Sequence, residues 1–267
     1  MPSIQRRFKN LVRQCAIKLC GGLLRVSSRP YQLHEGATVI IAPHQDDETL
    51  ACGGIISRKR DEGLPVHVIF ITDGSASHPN HPRLEAREIS GMRRQEAMQA
   101  LGCLRVERAA VHFLDHTDGT LHRLDARNRE KLVTDLASLF LIISPAEIFL
   151  PCHPDGSSEH DAVFGFVTDA IANSGQRPVV WQYPVWSWWN PVILLRRWIA
   201  TTDCRRLSLE DHTQAKLAAI QCYQSQIAAL PPDSAPALPP ALVNIFKADT
   251  EYFFRHALPA ARNEPLR

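Results

Sequence analysis

Residues 38–54, "TVIIAPHQDDETLACGG", join an apolar, β-branched run to a cluster of ionisable residues. "TVIIA" (38–42) reads as a strand, and "LACGGIISRKRDEG" (50–63) reads as a helix that ends at Gly63. Between them stand His44, Asp46, Asp47 and Glu48. Ionisable groups are costly to bury, and a turn does not need them. Their place at the end of a buried strand therefore asks for a chemical role.

Outward from this stretch the chain keeps alternating. "VHVIFIT" (66–72), "AAVHFL" (109–114), "AEIFL" (146–150) and "VVWQYP" (179–184) read as strands. "LEAREISGMRRQEAMQAL" (84–101), "LDARNREKLVTDLASLF" (124–140), "EHDAVFGFVTDAIA" (159–172) and "HTQAKLAAIQCYQSQI" (212–227) read as helices, with a terminal helix expected around 241–256. This alternation predicts an α/β fold with a mostly parallel sheet covered by helices on both faces. In such folds polar sites form at the carboxyl ends of the strands. The first four strands run into "PHQDDE", Asp73 and Gly74, "DHTDG" (115–119) and "PCHPDGSSEH" (151–160). All four acid-bearing loops should open onto one edge.

Composition narrows the class. At 267 residues, 45% hydrophobic and 22% charged, the chain is an ordinary globular protein able to bury a substantial core. A net charge of +2 gives no case for a nucleic-acid partner. The charge is uneven, however. Residues 1–29 carry seven basic side chains and no acidic one, which leaves a net of −5 on the rest. Such a segment is either a frayed leader or an amphipathic helix lying on an anionic membrane. Arg13 and Lys18 break its apolar stretch, so it makes a poor signal peptide. No run of about 18 apolar residues predicts a membrane-spanning helix. Seven scattered cysteines with no C-x-x-C pair suit a reducing cytosol. The expectation is a cytoplasmic protein with peripheral membrane contact through its basic terminus as an option. Its parts are a basic extension over 1–33, one domain over 34–256 and a tail over 257–267.

His44 and Asp47 are three residues apart in a tight loop and can turn toward one point. An imidazole nitrogen and a carboxylate oxygen are both good zinc ligands, and a catalytic zinc takes three protein ligands. The third comes from the loop after the fourth strand, where His153 and His160 are the candidates, with Ser157 or Ser158 capping the next helix. Asp46, adjacent to a ligand but off the metal, is placed to accept a proton from water. The competing structural account is that "DDE" caps a helix, since acids favour helix N-termini. The second His/Asp cluster weighs against it. His67 and His112 fall inside strands and read as structural, and His78 and His81 read as exposed. The Trp-rich stretch 181–191 reads as a packed flap or as a wall for a sugar or lipid.

"APHQDDETLACGG" resembles the "(A/P)HPDDE…GG" signature of the PIG-L/LmbE-like zinc N-deacetylases. "FITDG" (70–74), "RRQEA" (93–97), "HPDGSSEHDAV" (153–163) and Lys216, Tyr223, Ser225 and Gln226 resemble the family's later landmarks in order. The resemblance implies a Rossmann-like three-layer domain, zinc on His44, Asp47 and His160, and Asp46 as general base. The implied reaction removes an acetyl group from an N-acetylglucosamine-type sugar in a glycan precursor, a glycolipid or a glycosylated small molecule. An amidase for a thiol conjugate or another acylated amine and a non-catalytic metal-binding accessory protein are the alternatives. Arg93, Asp155 and Ser157 are the implied substrate contacts, with a structural ion pair to Glu96 as the alternative for Arg93 and orientation of a metal ligand as the alternative for Asp155. Gln45 replaces the family's proline and should point away from the metal. Ser157 stands where many members place an oxyanion-stabilising histidine, so that role falls to His153 or to the zinc alone.

Overall fold

The computed structural model describes residues 4–79, 81–200 and 203–258, with side chains from residue 11 onward. In chain order the elements are α1 (Ile4–Ser27), β1 (Arg29–Pro30), β2 (Thr38–Ala42), α2 (Asp47–Asp61), β3 (Val66–Thr72), α3 (Ala86–Cys103), β4 (Val111–His116), α4 (Ala126–Ile143) and β5 (Glu147–Pro151). There follow α5 (Ser158–Ser174), β6 (Val179–Tyr183), α6 (Pro191–Ala200), β7 (Cys204–Ser208), α7 (Thr213–Cys222), α8 (Gln224–Ile227), α9 (Pro240–Phe246) and β8 (Thr250–His256). The strands form one sheet in the order β1-β7-β8-β6-β5-β2-β3-β4.

Side chains alternate across the sheet with the period of two that a strand imposes. Val39, Ile41, Ile69, Ile71, Ile148 and Leu150 face one layer, where α4 and α5 supply Leu132, Leu136, Phe140, Val163 and Val167. Ile40, Ala42, Val68, Phe70 and Phe149 face the other, against Ile55, Ile56, Ala97, Leu101 and Ile220 from α2, α3 and α7. The result is the expected three-layer α/β sandwich. Strand pairing from β4 through β3, β2 and β5 to β6 is parallel throughout. Chain order reverses between β2 and β5, and a crevice opens outside the carboxyl ends of strands at such a switch point. The β2–α2 and β5–α5 loops flank it.

Gly54 lets α2 lie this close. A Cβ there would come within 2.0 Å of Leu209 Cδ2, and the Glu251 carboxylate already accepts from the Gly54 and Ile55 amides.

Three expectations are corrected. The terminal helix over 241–256 divides into α9 and the strand β8, which enters the sheet antiparallel between β6 and β7. Glu251, Phe253 and Phe254 are buried there, so a place inside the sheet overrides the helical reading. The helix over 212–227 breaks at Tyr223, whose hydroxyl is drawn to the buried Glu48 carboxylate at 2.5 Å. The segment 1–33 is not a separate extension in its described part. Cys20, Leu24 and Tyr31 belong to the main core, and β1 pairs with β7. The tail expected over 257–267 lies outside the described residues from 259 onward.

Candidate metal centre

His44 leaves the end of β2, and Asp47 is the first residue of α2. His160 is in the first turn of α5, across the switch point. Asp47 Oδ2 lies 3.3 Å from His44 Nδ1 and 3.3 Å from His160 Nε2. The two imidazole centroids are 5.6 Å apart. One ligand atom from each of the three residues falls within 4.8 Å of the others. The His160 ring is held from behind: its Nδ1 is 2.8 Å from Asp155 Oδ2. Asp155 is itself fully buried and accepts the amides of Val185, Trp186 and Ser187.

In the neutral ring, a carboxylate on Nδ1 fixes the tautomer that leaves the Nε2 lone pair facing Asp47. That buried Nε2 has no hydrogen-bond partner. An orphaned imidazole nitrogen beside a carboxylate and a second imidazole is the donor set of a zinc-type cation, and the residues fit one. Electrostatics agree. Asp47 is held well below the usual carboxylate range although burial opposes this, because both imidazoles face it. His160 is raised to about 9: burial lowers it, and Asp47 and Asp155 more than offset that. In the metal-free chain the imidazole thus holds a proton that a cation must displace.

Asp46 is different. It adopts φ 150°, ψ −31°, a region that residues with a Cβ rarely enter. The peptide N–H of this strained residue donates to Glu48 Oε2 at 3.1 Å. Its carboxylate meets Arg93 Nη2 at 3.1 Å. Burial pushes the carboxyl up to about 7, with the guanidinium pulling the other way and Asp47 adding to the rise. An acid poised there can take a proton from water near neutral pH.

The neighbourhood of these three side chains is completed by residues from other loops. His44, Asp46, Asp47, Arg93, Ser157, Glu159, Trp186 and Gln226 are among those lining a cleft of about 550 Å³. Gln45 points away from it, its side-chain amide donating to the Thr72 carbonyl at 2.7 Å. Gly74, at φ +69°, makes room for this: a Cβ would stand 2.3 Å from Gln45 Oε1.

Similarity to known proteins bears on the same stretch. Residues 39–171 match the family model described as PIG-L, GlcNAc-PI de-N-acetylase. These residues form a PIG-L family domain. The chain is 28% identical over 172 residues to the 1D-myo-inositol 2-acetamido-2-deoxy-alpha-D-glucopyranoside deacetylase of Rhodococcus jostii RHA1, covering 57% of each protein. It thus spans little over half of that relative. Among solved structures, the fold resembles GalB, the 4-carboxy-2-hydroxymuconate hydratase of Pseudomonas putida KT2440. The TM-score is 0.64 at 16% identity, over 87% of this chain and 100% of that one. It also resembles the N,N'-diacetylchitobiose deacetylase of Pyrococcus horikoshii, with a TM-score of 0.55 at 19% identity, over 84% and 80% of the two chains.

Within the PIG-L domain, the sequence-derived residues divide into those brought together and those kept apart. His44, Asp46, Asp47, His160, Arg93 and Ser157 converge. Asp155 lies behind His160, where it positions the ring and cannot reach the cleft. His153 is exposed and stacks on Phe164 with centroids 4.9 Å apart, so it does not line the cleft. His78 is buried rather than exposed. Sequence reasoning passed over two acids. Glu159 Oε2 lies 2.7 Å and Asp118 Oδ1 3.2 Å from His44 Nε2. The signal for Asp118 was its loop, which opens on the shared edge. Glu159 gave none, since an acid in a first helical turn reads as a dipole partner.

Proposed function

We propose that this chain is a zinc-dependent hydrolase that removes an N-acetyl group from an N-acetylglucosamine-type amino sugar. The observation that carries the reading is the convergence of His44, Asp47 and His160 on one point, with Asp46 beside them and left off that set. The PIG-L match and the amino-sugar deacetylases among its relatives support it.

His44, Asp47 and His160 would hold the zinc. Bound there, it supplies a Lewis acid that polarises an amide carbonyl and acidifies water. Asp46 accepts the proton from the attacking water and returns it to the departing amine, so acetate and a free amino sugar leave. Arg93 restrains the Asp46 carboxylate through their ion pair, and Asp155 keeps His160 in the ligating tautomer. Ser157 and Trp186 line the cleft where the sugar ring would lie, and an aromatic face suits such a ring. With His153 turned outward, no histidine of the β5–α5 loop lines the cleft. Cleft donors such as the Gln226 amide would stabilise the developing oxyanion together with a cation held by the three residues.

The test is acetate release from a water-soluble N-acetylglucosamine conjugate by the zinc-loaded protein. Stoichiometric acetate and free amine are expected. The same fold carries a hydratase, and hydration of a double bond would leave the acetamide intact. Absence of acetate from a panel of N-acetyl amino sugars would overturn the reading.

A further inference from the structure

A second surface adjoins the cleft. On α1, Cys20 and Leu24 are buried against the body, while Leu19 is 66% and Val26 88% exposed. Leu11, Val12 and Leu23 are exposed with them. Spacings of four and seven residues gather these side chains into one stripe on the outer face of the helix. On α6, Leu194 is buried, and Val192, Leu195 and Ile199 point outward at spacings of three and four. Eight of the ten large exposed hydrophobic side chains among the described residues lie on these two helices. The helices are fastened together. Trp198 Nε1 donates to Ser27 Oγ at 2.7 Å, and the Arg13 guanidinium lies 4.3 Å from the Trp189 ring centroid.

Charge singles out the partner. The α1 sequence carries Arg6, Arg7, Lys9, Arg13, Lys18 and Arg25, and α6 adds Arg196 and Arg197, with no acid on either. Two copies of this face meeting about a twofold axis would set basic against basic with nothing to offset them. An anionic bilayer satisfies both halves of the pattern: apolar side chains enter the acyl boundary while arginine and lysine meet headgroups. No described helix is long and apolar enough to cross a membrane. A groove of about 670 Å³ runs between the two helices, lined in part by Val12, Val192 and Trp189. Its remaining lining includes Gly156 and Trp186, which also line the catalytic cleft.

We propose that the α1–α6 face docks on an anionic phospholipid bilayer and turns the groove, and through it the cleft, toward a membrane-borne substrate. The substrate clause rests on the deacetylase reading; the docking does not. Flotation of the full chain with phosphatidylcholine vesicles, with and without phosphatidylglycerol, tests it. The protein is expected to float with the anionic vesicles at least about tenfold better than with neutral ones, and less well in high salt. L19E/V26E/I199E and, separately, K18E/R25E should lose flotation while acetate release from the soluble conjugate stays unchanged. All five side chains are exposed, so neither variant removes core packing. Failure of the natural chain to float, equal flotation of both variants, or self-association through this face without flotation would overturn the proposal. Flotation without acetate release would uphold the docking and sink the deacetylase reading alone.

Discussion

At the scale of single residues, two neighbouring aspartates in the same loop are driven in opposite directions by their surroundings. Asp47 faces two imidazoles and stays ionised; Asp46 is buried against one guanidinium and rises to about 7. D46N should therefore lower kcat by about 10²–10⁴-fold with zinc content unchanged by metal analysis. A kcat within a few-fold of the natural chain would remove Asp46 from the proton path. The proposed ligands make a second prediction, independent of turnover. His160, raised to about 9, keeps its proton at neutral pH when no cation is present. Zinc must displace that proton, so its affinity should climb as pH rises toward about 9 and level off beyond. Titration in a weakly buffered indicator should register proton release on zinc addition; no release would mean His160 is not a ligand. The grouping of His44, Asp46 and Asp47 was legible from spacing and strand-end placement, whereas spacing left His153 and His160 as equal candidates to join them and only the family resemblance favoured His160. Asp155 was legible as an acid that orients a ligand or binds substrate; the choice between the two depends on its place behind His160 and on three backbone amides from residues 185–187, which sequence does not reveal. His153 was misplaced because sequence gives a histidine's neighbourhood and not the direction of its ring.

At the scale of elements, β3 and β4 carry His67 and His112 on adjacent strands, their rings stacked 5.6 Å apart. Burial lowers both pKa values, and at His67 the facing His112 lowers it further. The folded chain thus binds protons here less readily than the unfolded chain. Their contribution is intact above the unfolded value of about 6.5 and declines as pH falls through it toward the lower folded values. H67Q should flatten the acid-side decline in urea midpoint; an unchanged slope would show that the pair does not govern it. The strands β2, β3, β5 and β6 were legible because each is a largely buried apolar run, and β4, only half-buried at the sheet edge, was legible from its apolar "AAVHFL" run. Strand β8 was not, because "EYFFRH" satisfies helical and extended patterns alike, and the antiparallel slot between β6 and β7 decides the matter. The strand β7 and the helix α6 went unread for a similar reason: their burial is set by α1 and β8, which sequence proximity does not reveal.

At the scale of the molecule, a buried ion pair joins α2 to β5, and Tyr31 of the N-terminal segment is hydrogen-bonded to it. The Lys59 ammonium and the Glu147 carboxylate are both fully buried. Glu147 also accepts from the Tyr31 hydroxyl at 2.7 Å and from Trp181 Nε1 at 2.8 Å. K59M would strand a buried charge and should cost about 3–5 kcal/mol in urea unfolding, whereas K59M/E147Q should recover part of the loss. A K59M cost below about 1 kcal/mol would show the pair to be incidental. The insertion of β8 between β6 and β7 has a further bearing on how the chain is made. Residues 250–256 emerge last among the described strands, yet they are the seam that joins the two halves of the sheet. Until they leave the ribosome, β6 and β7 each offer an open backbone edge to any neighbour. A chain stopped after residue 249 should collect in the insoluble fraction on expression, while one stopped after residue 258 should stay in the supernatant; equal solubility would mean that the sheet closes without its last strand.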